Sequence, residues 1–115
     1  MHELSICHSI AAIVQRHSNG QQVTAVRLEV GQLRQIVPET LVHCWALVCA
    51  DTPLAGSHLD VTEIPARLDC TDCGADSLVG PFPVFRCGSC AGDNVAVIAG
   101  EEFLITSMDV SERTV

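Results

Sequence analysis

The sequence predicts an α/β fold, with two helices on a small mixed three-stranded sheet and a small domain inserted into it. Apolar residues follow helical and alternating periodicities in the order helix, strand, helix, strand. A segment rich in cysteine, glycine and proline, residues 66–97, then separates these elements from a last apolar strand. We therefore expect one α/β layer interrupted between its second and third strands.

The first predicted helix covers residues 4–17, and the first strand covers residues 23–31. The apolar positions of the helix recur at helical spacing and are Leu4, Cys7, Ile10, Ala11 and Val14. Ser18-Asn19-Gly20 ends the helix, because glycine readily adopts the left-handed conformation of a helix cap. In the strand the apolar positions alternate with other residues and are Val26, Leu28 and Val30. This alternation predicts a strand with one buried face.

The second predicted helix begins at Pro38, after the connector "QLRQIV". Proline suits the first turn of a helix, where its missing N–H is not needed. The apolar stripe of this helix is Leu41, Trp45 and Val48, and Asp51-Thr52-Pro53 ends it. Strands at 57–64 and 102–110 complete the layer. We expect residues 1–64 together with 99–115 to form one domain, and residues 65–98 to form the inserted domain.

Composition excludes several classes of function. The chain has 115 residues, a formal net charge of −8 and no lysine, which argues against a nucleic-acid partner. No stretch approaches the roughly 18 apolar residues that a membrane span needs. Glu3 stands where an export signal would carry positive charge. We therefore expect a cytoplasmic protein, in which seven cysteines hold metal rather than disulfides.

Two Cys-x-x-Cys pairs, "CTDC" and "CGSC", lie thirteen residues apart and supply Cys70, Cys73, Cys87 and Cys90. Four thiolates on tight turns form the tetrahedral ligand set that Zn(II) prefers, and they leave no open position for catalysis. The pattern predicts a zinc-ribbon-like domain with a structural zinc ion. Iron in a rubredoxin-like site, a nucleic-acid-binding ribbon and disulfide pairing are the alternatives. No nucleophile–base arrangement and no glycine-rich phosphate loop is legible, so we predict no enzyme.

The chain begins with Met1-His2-Glu3. A free α-amine, a backbone amide and an imidazole lie within reach of one cation there, and such nitrogen ligands suit Ni(II) or Cu(II). The alternative is a frayed end with no role. Both the amine and the imidazole must lose protons before they bind metal, so affinity should fall on acidification.

The combination of "MHELSICHSI", "VRLEVGQL", "VPETL", the two cysteine pairs and "FLITSMDV" strongly resembles the HypA/HybF family of hydrogenase nickel-incorporation proteins. The resemblance covers Met1 to about Val110. It implies a nickel metallochaperone that carries Ni(II) to [NiFe]-hydrogenase with the GTPase HypB, and in some organisms also serves urease. It also implies a small α/β nickel domain with an inserted zinc domain.

By position, the resemblance assigns nickel to Met1, His2 and Glu3, and zinc to the four cysteines. Its partners would be HypB, the large subunit of [NiFe]-hydrogenase and, in some members, urease accessory proteins. The chain would act as a monomer or a homodimer. The rival interpretations are a zinc-ribbon interaction adaptor, in which the amino terminus has no role, and an iron electron carrier.

Overall fold

The computed structural model describes residues 3–81 and 84–111 of the chain. The elements in chain order are α1 (Glu3–His17), β1 (Gln22–Gly31), a short 3-10 helix (Gln32–Arg34), α2 (Pro38–Cys49), β2 (His58–Ile64), β3 (Arg67–Cys70), β4 (Asp76–Leu78), β5 (Val95–Ala99) and β6 (Phe103–Ser111). Both predicted helices and all three predicted strands are confirmed, with bounds that differ by one residue or two at most. None of the helices in the described part of the chain is long and apolar enough to cross a membrane.

The chain divides into two compact units. Unit 1 contains the residues up to Glu29, Ile36–Thr62 and the chain from Leu104 onward. Unit 2 contains Glu63–Phe103 together with a separate short segment, Val30–Gln35.

Strands β2, β1 and β6 form a three-stranded sheet in that order. The Thr106 hydroxyl donates to the Arg27 carbonyl, and the Thr24 hydroxyl donates to the Asp109 carbonyl. Residue numbers therefore rise along β1 as they fall along β6, so these two strands run antiparallel. Strands β1 and β2 are joined through α2, which is the connection that parallel neighbours require. The predicted mixed α/β sheet is therefore confirmed.

The core of unit 1 is formed by the predicted apolar faces of its helices and of β1. The buried residues of these three elements in unit 1 are Cys7, Ile10, Val14, Leu41, Trp45, Cys49, Val23, Val26 and Leu28. Val30, near the end of β1, is also buried but belongs to unit 2. Two predicted apolar positions of α1 are not buried: Leu4 is exposed in the first turn and Ala11 is half-buried. In α2, Cys49 is buried more completely than the predicted Val48. The indole N–H of Trp45 donates to the Ser57 hydroxyl at 3.0 Å, so its polar atom is satisfied inside the core.

Unit 2 contains a second three-stranded sheet, in the order β4-β3-β5. Strand β3 pairs antiparallel with both neighbours, and a register shift occurs between Arg67 and Leu68 on the β5 side. The core of this unit is small: Ala66, Leu68 and Val79 are buried, and Leu33 and Val95 pack against them. The sequence did not predict these three strands, because runs of three to five residues are too short to show a periodic pattern.

Candidate metal centre

The structure brings the four predicted zinc ligands together in unit 2. Their sulfur atoms all lie within 4.8 Å of one another, and all four cysteines are free thiols. The Sγ atoms of Cys70 and Cys90 are 3.7 Å apart, and those of Cys73 and Cys87 are 3.4 Å apart. Each of these close pairs joins one Cys-x-x-Cys turn to the other.

The spacing of the sulfurs fits a tetrahedral metal ion. Zn–S bonds of about 2.3 Å in a regular tetrahedron place neighbouring sulfurs about 3.8 Å apart. The observed 3.4 and 3.7 Å are close to that edge length. A disulfide would instead need a separation near 2.05 Å. The donor set therefore fits Zn(II), and the same geometry would accept iron.

The two Cys-x-x-Cys turns have the same backbone hydrogen bonds. In the first turn, Gly74 N–H donates to the Cys70 carbonyl and Cys70 N–H donates to the Ala75 carbonyl, both at 2.9 Å. In the second turn, Ala91 N–H donates to the Cys87 carbonyl and Cys87 N–H donates to the Gly92 carbonyl, also at 2.9 Å. The first turn is also the loop of the β3–β4 hairpin.

Each turn requires a left-handed residue directly after its second cysteine. Gly74 has φ 74° and Ala91 has φ 60°. A left-handed residue with a Cβ costs roughly 1–2 kcal/mol.

We therefore expect Ala91→Gly to stabilise the zinc-loaded protein by up to about 1 kcal/mol, because glycine removes that strain but also loosens the unfolded chain. Gly74→Ala should destabilise it by about 1 kcal/mol. Urea unfolding followed by zinc release to an indicator dye measures both changes.

Ala96→Gly is the matched control for this pair. Ala96 is an exposed strand residue in β5, where glycine should destabilise by about 0.5–1 kcal/mol. A Cβ added at Gly74 meets no atom within 4 Å, so its cost comes from the backbone alone. The interpretation is wrong if Ala91→Gly and Ala96→Gly shift stability in the same direction.

The sulfur of Cys87 lies in the most polar surroundings of the four. The backbone N–H groups of Cys90 and Ser89 donate to it at 3.5 and 3.3 Å, and they lower the pKa of Cys87 to about 6. For Cys73, the Ala75 backbone acts to lower the pKa, but hydrogen bonding with Cys87 and the other thiols, together with burial, raises it to about 12. The lowered pKa of Cys87 favours its thiolate form at neutral pH, whereas metal binding must displace a proton from Cys73.

Further hydrogen bonds, which the sequence did not predict, connect β4 with the second turn and the first turn with Asn94, the residue before β5. Gly88 N–H donates to the Ser77 hydroxyl at 2.9 Å, and that hydroxyl lies 4.0 Å from Cys87 Sγ. On the other side, the Asn94 amide donates to Asp72 at 3.2 Å. The Thr71 N–H and hydroxyl both donate to the Asn94 carbonyl, at 3.1 and 3.0 Å. No sequence pattern marks these residues, because each is an ordinary polar residue beside a turn.

The predicted nickel ligands lie at the other end of the sequence. Met1 and His2 fall outside the described residues, so their assignment stays a prediction. Glu3 begins α1 and is half-buried. One turn on, Cys7 is fully buried and its thiol donates to the Leu41 carbonyl at 3.4 Å. Burial raises the pKa of Cys7 to about 12, which makes it a core residue rather than a ready metal ligand.

Within the described residues, 3–81 and 84–111, the four cysteines of unit 2 form a cluster that could hold a metal ion. Within these ranges, no other group of three or more histidine, cysteine or acidic side chains has its ligand atoms so close together. His8 and His17 are exposed on α1. The Nδ1 atom of His17 is engaged with the Ile13 carbonyl at 2.8 Å.

Comparison with known proteins gives a consistent result over the whole chain. The sequence model of the family described as "Hydrogenase/urease nickel incorporation, metallochaperone, hypA" matches residues 1–110. The "Hydrogenase maturation factor HypA" of Nostoc sp. is 39% identical over 113 residues, which cover 97% of each chain. The protein of that name from Geobacter metallireducens is 34% identical over 114 residues, which cover 96% of this chain and 99% of the relative.

A solved structure shares the fold at lower sequence identity. It is the solution structure of the Ni metallochaperone HypA from Helicobacter pylori, with a TM-score of 0.63 and 21% identity. The match covers 96% of this chain and 97% of that one. Since the family model matches residues 1–110 and relatives of more than 30% identity cover 97% and 96% of the chain, this chain belongs to the HypA family of nickel-incorporation metallochaperones.

Proposed function

We propose that this chain binds Ni(II) at its amino terminus and delivers it for the maturation of [NiFe]-hydrogenase. The ligands would be the Met1 α-amine, the His2 imidazole and backbone amides as far as Glu3. The match over residues 1–110 carries this proposal, because it assigns the chain to a nickel-incorporation family and includes the Met-His-Glu start. Nitrogen donors of this kind suit the square-planar preference of Ni(II).

Cys70, Cys73, Cys87 and Cys90 would hold a structural Zn(II). This assignment rests on their mutual distances and on the repeated turn geometry. When bound, zinc supplies four strong bonds that organise residues with little apolar core of their own. The partners in the proposed pathway are the GTPase HypB and the hydrogenase large subunit, and the protein would act as a carrier in the cytoplasm rather than as an enzyme.

Replacing His2 with alanine should abolish specific Ni(II) binding and leave the fold intact. The test is a calorimetric Ni(II) titration of untagged, zinc-loaded protein. We expect one site in the wild type at pH near 7.5 and weaker binding near pH 6, because the amine and imidazole must lose protons to bind. A peptide tag before Met1 should have the same effect as His2→Ala, because it removes the free amine.

His8→Ala is the matched control for this experiment. His8 is an exposed histidine on α1, six residues further along the chain, and its loss should leave Ni(II) affinity unchanged. Equal binding by the wild type and His2→Ala would contradict the assignment and favour a zinc-ribbon adaptor. In cells, hydrogenase matured with the His2→Ala variant should contain less nickel than hydrogenase matured with the His8→Ala variant.

A further inference from the structure

We propose that the outer edge of β5 binds an extended, basic segment of a partner protein, which adds a fourth strand to the sheet of unit 2. Strand β5 lies at one end of the order β4-β3-β5, so in the described part of the chain one side of its backbone has no neighbouring strand. A row of N–H and C=O groups of this kind is a template on which an extended peptide can pair. No step of this inference involves nickel, so its test is independent of the proposed amino-terminal site.

The pairing of β5 with β3 shows which main-chain groups face outward. At the start of β5, Thr71 N–H donates to the Asn94 carbonyl at 3.1 Å, on the β3 side. In an antiparallel pair the main-chain groups of alternate residues point to the same side, so those of Ala96 also face β3. The N–H and C=O groups of Val95 and Val97 therefore point away from β3. Among the described residues, none forms a hydrogen bond with them on that outer side.

Strand β5 lacks most of the features that usually protect an edge. Natural edge strands are commonly blocked by charged side chains, by proline or by bulges. The sequence of β5, "VAVIA", contains no charge and no proline, and Val97 and Ile98 are 37% and 55% exposed. Its one irregularity, the register shift against Arg67 and Leu68, comes after Val97. The outer side of Val95–Val97 is therefore open to a further strand.

The charges around this edge favour a basic occupant. Unit 2 has seven acidic residues against three arginines, a balance of −4, and Zn(II) bound by four thiolates would add about two further negative charges. Two of the acidic residues, Asp93 and Glu101, flank β5 along the chain. A second copy of this chain would bring another acidic unit to the edge and would be repelled, whereas a basic segment would be attracted.

One carboxylate gives this attraction a definite position. Asp69, on β3, is exposed and lies directly opposite Ala96 on one side and Asp76 on the other, so the three share a face of the sheet. The Arg67 guanidinium pairs with Asp76, whereas Asp69 has no ion-pair partner among the described residues. A strand added beside β5 would lie about 10 Å from β3. Because Ala96 is small, an arginine or lysine placed opposite it can reach across to Asp69.

The test is amide hydrogen exchange and peptide binding in the zinc-loaded full chain. In the free protein we expect Ala96 N–H to exchange slowly, because it faces β3, and Val97 N–H to exchange quickly. The probe is the labelled peptide "TVRVRVT", which as a strand has arginines on one face and valines on the other. It should bind saturably, measured by fluorescence anisotropy, and slow the exchange of Val97 N–H at least about tenfold. The peptide "TVEVEVT" is the control and should not bind.

Two variants test the backbone and the charge separately. Val97→Pro removes the outward N–H but no bond to β3, and should weaken binding of the basic peptide about five- to tenfold, as the loss of one hydrogen bond does. Val97→Thr keeps the N–H and should keep the affinity. Asp69→Asn should weaken binding about two- to fivefold, the effect of an exposed ion pair. Its matched control is Asp60→Asn, at an exposed strand position of unit 1, which should leave the affinity unchanged.

Three results would overturn the inference. The first is failure of the basic peptide to bind, or equal binding of the basic and acidic peptides. The second is an unchanged affinity in both Val97→Pro and Asp69→Asn. The third is slow exchange of Val97 N–H in the free protein: exchange that speeds up on dilution would identify a second copy of this chain as the occupant, and exchange that does not would show that the chain itself covers the edge.

Discussion

Replacing Cys73 with serine is expected to release zinc and to open residues 66–97 to proteases. Among the described residues of unit 2, apart from the cysteines, the packed core cluster is small: Ala66, Leu68 and Val79, with two further side chains packed against it. Metal binding in a structural zinc site contributes about 10–16 kcal/mol, which is far more than such a core can supply. Unit 1 has its own larger core around Trp45, so it should remain folded in the variant.

Cleavage by trypsin measures this opening of residues 66–97. The chain has no lysine, so cleavage is confined to six arginines. Arg67 lies in β3, paired with both neighbouring strands and with Asp76, and should be protected in the zinc-loaded wild type. In Cys73→Ser, cleavage after Arg67 should become fast. The fluorescence of Trp45, the one tryptophan, should stay unchanged and report that unit 1 is intact.

Cys44→Ser is the control for the loss of a thiol. Cys44 is a half-buried cysteine of α2, and its variant should keep both zinc and the protection of Arg67. Chelation of zinc from the wild type should reproduce the Cys73→Ser pattern and reverse on return of Zn(II). Unchanged zinc content and unchanged trypsin resistance in Cys73→Ser would show that the cysteine cluster does not hold the unit together.

The elements that could be predicted from the sequence are those with a repeating physical signal. In β1, three residues at alternate positions, Val26, Leu28 and Val30, lie in the core as expected. Pro38 begins α2 because a proline is favoured where a helix needs no N–H. The cysteine pairs could be recognised because a tetrahedral thiolate site needs two tight turns, and such turns have a fixed spacing.

The sequence does not reveal contacts between residues far apart in the chain, because such contacts leave no periodic pattern in it. Ser77 and Asn94 are unremarkable in sequence, and only the folded chain brings them beside the two turns. The segment Val30–Gln35 is a clearer case. By sequence, Val30 and Gly31 end the first strand and residues 32–35 begin the connector to α2, yet the segment belongs to unit 2. Its Gly31 lies so close to Gly100 that a Cβ there would overlap the Gly100 carbonyl.

The side chain of Gln32 attaches this segment to two others in unit 2. Its amide nitrogen donates to the carbonyls of Val79 and Gly80, at 3.2 and 3.0 Å. Its amide oxygen accepts a hydrogen bond from Ala66 N–H at 2.9 Å. Ala66 and Val79 are both in the buried core. One side chain thus satisfies backbone groups on both sides of the β3–β4 hairpin.

Gln32→Ala should therefore destabilise unit 2 by about 3 kcal/mol, because a buried backbone group left without a partner costs roughly 1–3 kcal/mol. Urea unfolding, monitored by the release of zinc, measures this loss of stability. Hydrogen exchange at Ala66 N–H should speed up in the same variant. Gln35→Ala is the matched control, since Gln35 is an exposed glutamine of the same segment and alanine retains its left-handed backbone strain.

Gln32→Glu tests the hydrogen bonds of the amide oxygen and of the amide nitrogen separately. A carboxylate can still accept from Ala66 N–H, but it cannot donate to the Val79 and Gly80 carbonyls and places negative charge against them. We expect Ala66 N–H to stay protected from hydrogen exchange in this variant while overall stability still falls.

If Gln32→Ala and Gln35→Ala lower the stability equally, backbone hydrogen bonds such as Leu33 N–H to the Gly100 carbonyl, at 2.8 Å, are sufficient to hold the segment. A larger loss in Gln32→Ala would establish that residues 63–103 need a side chain from before α2 to complete their fold.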